Sequence, residues 1–150
     1  MHQYIKLLIK LEAGDGLPEE ALDWAYQQVE NGIESENVMK LAWLNNPSLE
    51  VVISTFRNAL KELNISIPGN YELKILIAKH IAENIISEKI DANAGCSKIA
   101  EINRELDWPT ELSGFGMFSH EQTDHEYLGI TAESLRETII EEARNLVNAT

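Results

Sequence analysis

Apolar residues recur at helical spacing along most of the chain. The clearest case is residues 47–63, where the apolar positions are Leu49, Val52, Phe56, Ala59, Leu60 and Leu63. One face of an amphipathic helix has this period, and residues 91–106 and 131–147 repeat it. The pattern predicts an all-α fold, with helices over well more than half of the residues and at most a short pair of strands.

Capping and turn residues divide this pattern into about seven helices. Proline favours the first helical position, and Ser, Asn, Asp and Thr favour the N-cap. The predicted starts are Pro18, Ser35, Pro47, Asn70, Asp91 and Thr131. Residues 4–12 fit a helix and a strand equally well; since a strand there would have no partner, a helix is predicted. An irregular multi-helix bundle is the first expectation, and a short HEAT-like stack of helix pairs is the second.

The most apolar segment is residues 71–90, where Glu72, Lys79 and Glu83 form only a narrow polar stripe. A helix that is apolar nearly all round must be covered on several sides, so this helix is predicted to be central. The period fails from Asp107 to Ile130. These residues predict a long acidic and aromatic loop, with one helical turn near Thr110–Leu112, and long loops in small domains are often functional.

Length and composition favour a single globular domain over residues 1–150. The 44% hydrophobic and 25% charged residues are ordinary for a folded protein. The only cysteine, Cys96, excludes an internal disulfide and predicts a reducing compartment, the cytoplasm. No apolar run approaches the ~20 residues of a membrane span, and no signal-peptide pattern is present.

The charge is strongly acidic and unevenly distributed. The chain has 25 acids against 12 bases, a net charge of −13, which disfavours nucleic acid and anionic membranes as partners. No Lys or Arg lies between Lys10 and Lys40, or between Arg104 and Arg136. These two acidic segments predict a basic protein partner, although acids at helix starts also serve the helix dipole and solubility.

The second acidic segment interleaves its acids with aromatic residues and Met117, which are typical anchors of protein interfaces. The partner-binding residues predicted in it are Asp107, Trp108, Glu111, Phe115, Phe118, Glu121, Asp124, Glu126 and Tyr127. Those predicted in the first segment are Glu19, Glu20 and Asp23.

Few residues point to catalysis, and no cofactor and no catalytic residue are predicted. His120 and His125 are five residues apart, so a helix would place them on different faces, unlike the four-residue spacing of zinc proteases. Cys96 lies in an apolar stripe without a base near it in sequence, as a small buried hydrophobe does. His80, on the predicted central helix, is expected to be a hydrogen-bonded core histidine.

Two segments carry a resemblance to a known group of proteins. They are LPEEALDWA (residues 17–25) and IAEINRELDWPTELSGF (residues 99–115). With the helical plan of the chain, they resemble small bacterial all-helical proteins of unknown function, some of which are immunity proteins encoded beside toxin genes. The resemblance implies a cytosolic protein that neutralises a toxin by binding it, and it transfers no catalytic residue. Small size and acidity suit this role because many toxin domains are basic nucleases.

The main functional hypothesis is therefore an immunity protein that binds a basic toxin domain. One alternative is a metal-dependent or small-molecule enzyme that uses His120, Asp124 and His125. The other is a helical scaffold or adaptor whose acidity serves solubility.

Overall fold

The computed structural model describes residues 3–117 and 132–149. These residues form helices and connecting turns, with no strand among them, so the all-α prediction is confirmed for this part of the chain. The helices are α1 (Gln3–Glu12), α2 (Pro18–Glu30), α3 (Glu36–Ala42), α4 (Leu49–Glu62), α5 (Asn70–Ile86), α6 (Ala92–Glu105) and α7 (Ala132–Asn148), with a 3-10 turn at Thr110–Leu112. No described helix is both long and apolar enough to cross a membrane.

The residues group into two compact units, Met1–Leu73 and Lys74–Thr150, and the boundary falls inside α5. The expectations of one domain over residues 1–150 and of a central α5 stay predictions.

The first unit is built on α1 to α4. Helix α3 packs against α2 and α4, and α1 packs against α4 and α2. The Trp24 ring lies edge-on to Phe56 at 5.0 Å between centroids and to Tyr4 at 5.2 Å. This aromatic cluster joins α1, α2 and α4, because each of the three helices contributes one ring.

Helix α1 settles the ambiguity between helix and strand in residues 4–12. Ile5, Leu8 and Ile9 are buried at the spacing of one helical face, whereas Leu7 is only half-buried. At the end of this helix, the Arg57 guanidinium contacts the Glu12 carboxylate at 2.6 Å. The ion pair ties α1 to the middle of α4.

Two predicted N-caps are confirmed. The Ser35 hydroxyl accepts a hydrogen bond from the Val38 N–H at 3.4 Å, and the Asp91 carboxylate accepts one from the Ala94 N–H at 3.1 Å. Each side chain satisfies one of the amides that the first turn of a helix leaves without an internal partner.

Two other predicted helix starts are wrong. Helix α4 begins after Ser48, whose hydroxyl accepts from the Val51 N–H at 3.3 Å, and not at Pro47. The reason is that Ser48 has a side-chain acceptor for the first turn and proline has none. Asn70 is the first residue of α5 rather than its cap, because the helical hydrogen bonds already begin at the Gly69 carbonyl. The predicted cap Thr131 lies outside the described residues.

The carboxylate of Glu62, the last residue of α4, is bound to the start of α3. It accepts hydrogen bonds from the Ser35 hydroxyl and from the side-chain and backbone N–H groups of Asn37. These bonds, the one from Ser35 first among them, hold the pKa of Glu62 below its ordinary value of 4.5. A negative charge at this position also complements the dipole of α3.

Glu62→Gln is expected to reduce stability most at neutral pH. A lowered folded-state pKa contributes stability above the unfolded pKa, and this contribution is lost as the pH falls through the folded pKa. The difference in unfolding free energy between the wild type and Glu62→Gln should therefore be full at pH 7 and shrink below pH 4.5. Urea unfolding at both ends of this range measures it. Glu30→Gln, at another exposed position of the same unit, gives the background effect of removing one charge. Equal pH profiles for the two variants would contradict the assignment.

In the second unit, α6 packs against α7 and against the 3-10 turn. Lys74 on α5 contacts Glu105 on α6 at 2.9 Å, and Lys79 donates to the Ala149 carbonyl at 3.2 Å. A Cβ at Gly95 would lie 2.6 Å from the Ile85 side chain, so glycine permits the close approach of α6 to the end of α5. The fully buried apolar residues of this unit are Ala78, Ala82, Cys96, Ile99, Ala100, Leu112, Phe115, Ile139 and Ala143.

The predicted loop at 107–130 is wrong in its first part. Its helical turn at Thr110–Leu112 is confirmed, but residues 113–117 are helical as well. Leu112 and Phe115 are fully buried; three residues apart, they share one helical face. Gly114 and Gly116 concealed this short stretch because glycines usually signal a break. Residues 118–130 lie outside the described part of the chain.

Candidate protein-binding surfaces

The exposed face of α2 carries most of the predicted residues of the first acidic segment. Glu19, Asp23, Tyr26 and Glu30 are exposed at spacings of four, three and four residues, which place them along one side of the helix. Tyr26 is 51% exposed. The opposite, buried side of α2 is formed by Ala21, Trp24 and Ala25. We refer to these four residues as the α2 face.

The Glu20 side chain has a structural role at the start of α2. Its carboxylate accepts a hydrogen bond from the Leu17 N–H at 3.1 Å and pairs with Lys10 at 3.2 Å. Both interactions lower the pKa of Glu20, the bond from Leu17 most. The carboxylate therefore caps the start of α2, and the prediction that Glu20 faces a partner is weakened by these contacts.

Basic side chains from outside the two acidic segments pair with some of their acids. Glu12 pairs with Arg57 and Glu20 with Lys10, and Glu105 is paired with a lysine of α5. Two of these partners lie far away in sequence. Exposed acids such as Glu19, Asp23 and Asp107 take no part in these three pairs and are candidates for binding.

A second surface lies just after α6. The Trp108 side chain is 55% exposed and Met117 is 56% exposed, and the acids Asp107 and Glu111 beside them are exposed as well. From Glu105 to Met117 the sequence contains no Lys or Arg. We call Asp107, Trp108, Glu111 and Met117 the aromatic ledge.

The backbone of the ledge is unusual. Asp107 has φ 60° and Trp108 has φ 57°, so two successive residues that are not glycine adopt the left-handed conformation. Aspartate tolerates it, but for a bulky residue such as tryptophan it is a true outlier, and it costs on the order of 1–3 kcal/mol. The Trp108 N–H still donates to the Asn103 carbonyl at 2.9 Å and closes the end of α6.

This conformation lays the Trp108 ring on the backbone of Gly116. A Cβ at Gly116 would lie 2.6 Å from the ring atom Cζ3 and 2.6 Å from the Asn103 side-chain nitrogen. Only glycine therefore fits at position 116 without a shift of the ring or the amide. The ring edge and the Asn103 amide are neighbours across this point.

Asn103 itself is fully buried, and in the described part of the chain neither its side-chain nitrogen nor its oxygen has a hydrogen-bond partner. Leaving a polar group buried in this way costs about 1–3 kcal/mol. This residue was not among the predicted site residues. Asn103 comes four residues after the inward-facing Ile99, so helical spacing could have indicated that its side chain points into the core.

One predicted partner-binding residue is corrected. Phe115 is fully buried, and its carbonyl accepts a hydrogen bond from the Cys96 thiol at 3.4 Å. Its ring packs in the core of the second unit, and a partner could reach it only if that core opened. The other predicted residues, Phe118, Glu121, Asp124, Glu126 and Tyr127, lie outside the described residues.

The structure describes two of the side chains that could take part in catalysis, Cys96 and His80. Burial raises the pKa of the Cys96 thiol to about 12, so it stays protonated at neutral pH and is a poor nucleophile. His80 is half-buried. In residues 3–117 and 132–149, no group of three or more His, Cys, Asp or Glu side chains could hold a metal ion. His120, Asp124 and His125 lie outside these ranges.

Comparison of the chain with protein-family models, with curated proteins and with solved structures found no match. The resemblance to immunity proteins therefore stays a prediction.

Proposed function

We propose that this chain is a cytoplasmic protein-binding domain that holds a basic protein through the aromatic ledge. The observation that carries the proposal is the pairing of two large, half-exposed apolar side chains, Trp108 and Met117, with the exposed acids Asp107 and Glu111. Aromatic residues and methionine are enriched at interfaces and provide much of the binding energy. Carboxylates around them would steer a positively charged partner towards the ledge.

The α2 face, in the first unit, is a separate candidate surface for a basic partner. It adds three carboxylates and the exposed Tyr26 ring, again a combination of acids with an aromatic anchor. Among basic partners, we propose a toxin domain, for example a nuclease. Such an enzyme binds the polyanionic backbone of nucleic acid through clustered Lys and Arg, and an acidic protein that covers those residues would block it. In this role the chain is an immunity protein.

The charge on the ledge provides the test of this proposal. Asp107→Lys together with Glu111→Lys should slow association with a basic toxin domain that binds the wild type by about tenfold or more at low salt, because steering by charge acts mainly on the association rate. The salt dependence of that rate should also become flatter. Stopped-flow fluorescence or surface plasmon resonance at two salt concentrations measures both effects.

The matched control is Glu83→Lys with Glu137→Lys, which changes the net charge equally at exposed positions of α5 and α7. Equal association rates in the two double variants would remove the ledge from the interface. If no basic protein encoded next to the gene of this chain binds the wild type, the immunity proposal is wrong.

A further inference from the structure

Three features coincide at one point of the aromatic ledge. The Asn103 carboxamide is fully buried, and neither of its polar atoms has a hydrogen-bond partner among the residues that the structure describes. The Trp108 ring edge and this carboxamide both lie against Gly116, where an added Cβ would be 2.6 Å from each. The backbone that holds the ring there is left-handed at Trp108, with φ 57°.

Two of these features raise the free energy of the conformation described here. An amide without a partner favours any state in which it finds one. A bulky residue held at positive φ favours any state in which its backbone relaxes, and such outliers concentrate at ligand clamps and switch regions. A movement of Trp108 away from Gly116 that includes a change of its φ would relieve the backbone strain and expose the amide, at the cost of the hydrogen bond from the Trp108 N–H to the Asn103 carbonyl.

We infer that Trp108 is a movable cover, and that the Asn103 carboxamide beside it binds the main-chain N–H and C=O of one residue in an extended, basic segment of the partner. A carboxamide offers one acceptor oxygen and a donor NH2 group, which together complement the N–H and C=O of a single extended residue, because these two groups point to the same side of an extended chain. Asp107 and Glu111 at the rim supply negative charge for Lys or Arg side chains on either side of that residue. The inference rests on the proposed function, since it names what the partner presents to the ledge.

A short peptide with a matched control tests the inference on the full chain. The probe is the tripeptide lysyl-glycyl-lysine, capped at both ends. The control is lysyl-sarcosyl-lysine, in which a methyl group replaces the central N–H and so removes the donor that the Asn103 oxygen would accept. Both peptides carry the same charge. Each is titrated into 15N-labelled protein while the Asn103 NH2 signals and the Trp108 indole signal are followed by NMR.

With the first peptide, both signals should shift and saturate together, because uncovering and binding are one event. The sarcosine peptide should bind about tenfold more weakly. Asn103→Leu keeps a similar volume and removes both unpaired polar atoms, so this variant should fold at least as stably and should bind the two peptides equally weakly.

Other results overturn the inference. If the Trp108 signal moves equally with both peptides while the Asn103 signals stay fixed, the partner contacts only the outside of the ring, and the proposed function survives. If Asn103→Leu still discriminates between the peptides, the carboxamide is not the binding group. If neither signal moves, the inference fails. The association rate of the charge-reversed variant then tests the proposed function separately.

Discussion

Replacing Phe115 by alanine is expected to lower the free energy of unfolding by about 3–5 kcal/mol, the usual cost of removing a buried phenylalanine ring. The Phe115 side chain is fully buried with Leu112 in the core of the second unit. Nothing of its ring is left for a partner, so the whole effect should fall on stability. Urea unfolding followed by circular dichroism measures it.

Met117→Ala is the matched control because residue 117 belongs to the same helical stretch and is 56% exposed. Its effect on stability should stay within about 0.5 kcal/mol, as for most surface positions, whereas its effect on partner binding should be the larger of the two. If Phe115→Ala unfolds no more easily than Met117→Ala, Phe115 is not a core residue, and its predicted role in binding must be restored.

Phe56→Ala is expected to have an effect of similar size on the first unit, about 3–5 kcal/mol. Phe56 is fully buried, and its ring packs edge-on against Trp24 at 5.0 Å. The variant would leave a cavity where α4 meets α2, and the Trp24 indole would lose the contact that orients it. The near-ultraviolet circular dichroism of the native state should weaken for the same reason.

Trp43→Ala is the control for Phe56→Ala. It also removes a large ring from the first unit, but the Trp43 side chain is 61% exposed. A change within about 0.5 kcal/mol is expected there. An equal loss of stability in both variants would show that exposure does not decide the cost, and would contradict the assignment of the aromatic cluster as the core.

The carboxylates of this protein have two different roles, which a count of charges in the sequence does not distinguish. Glu12, Glu20 and Glu62 all accept contacts that hold helices together, whereas Glu19 and Asp23 are exposed along the α2 face. Only the second kind is available for steering a partner. Reversal of a structural carboxylate would therefore reduce stability first, and so would not serve as a test of binding.

The presence of helices α1 to α7 follows from the sequence alone, although two of their starts and the helical residues 113–117 do not. The period of the apolar residues distinguishes a helical face from a strand, and short polar side chains such as Ser35 and Asp91 act on amides only three residues away. These interactions are local, so the sequence shows them directly. The same period, four residues from Ile99 to Asn103, is a signal for the burial of Asn103 that was not used in the prediction.

The tertiary structure alone decided which side chains remain for a partner. Phe115 and Trp108 look alike in sequence, but one is fully buried and the other is half-exposed, because burial depends on which helices pack against each residue. Glu12 meets Arg57 only because α1 packs on α4. Gly116 lies against both Trp108 and Asn103. This contact also depends on the tertiary structure, because the folding of the chain brings these residues together and their spacing in the sequence does not.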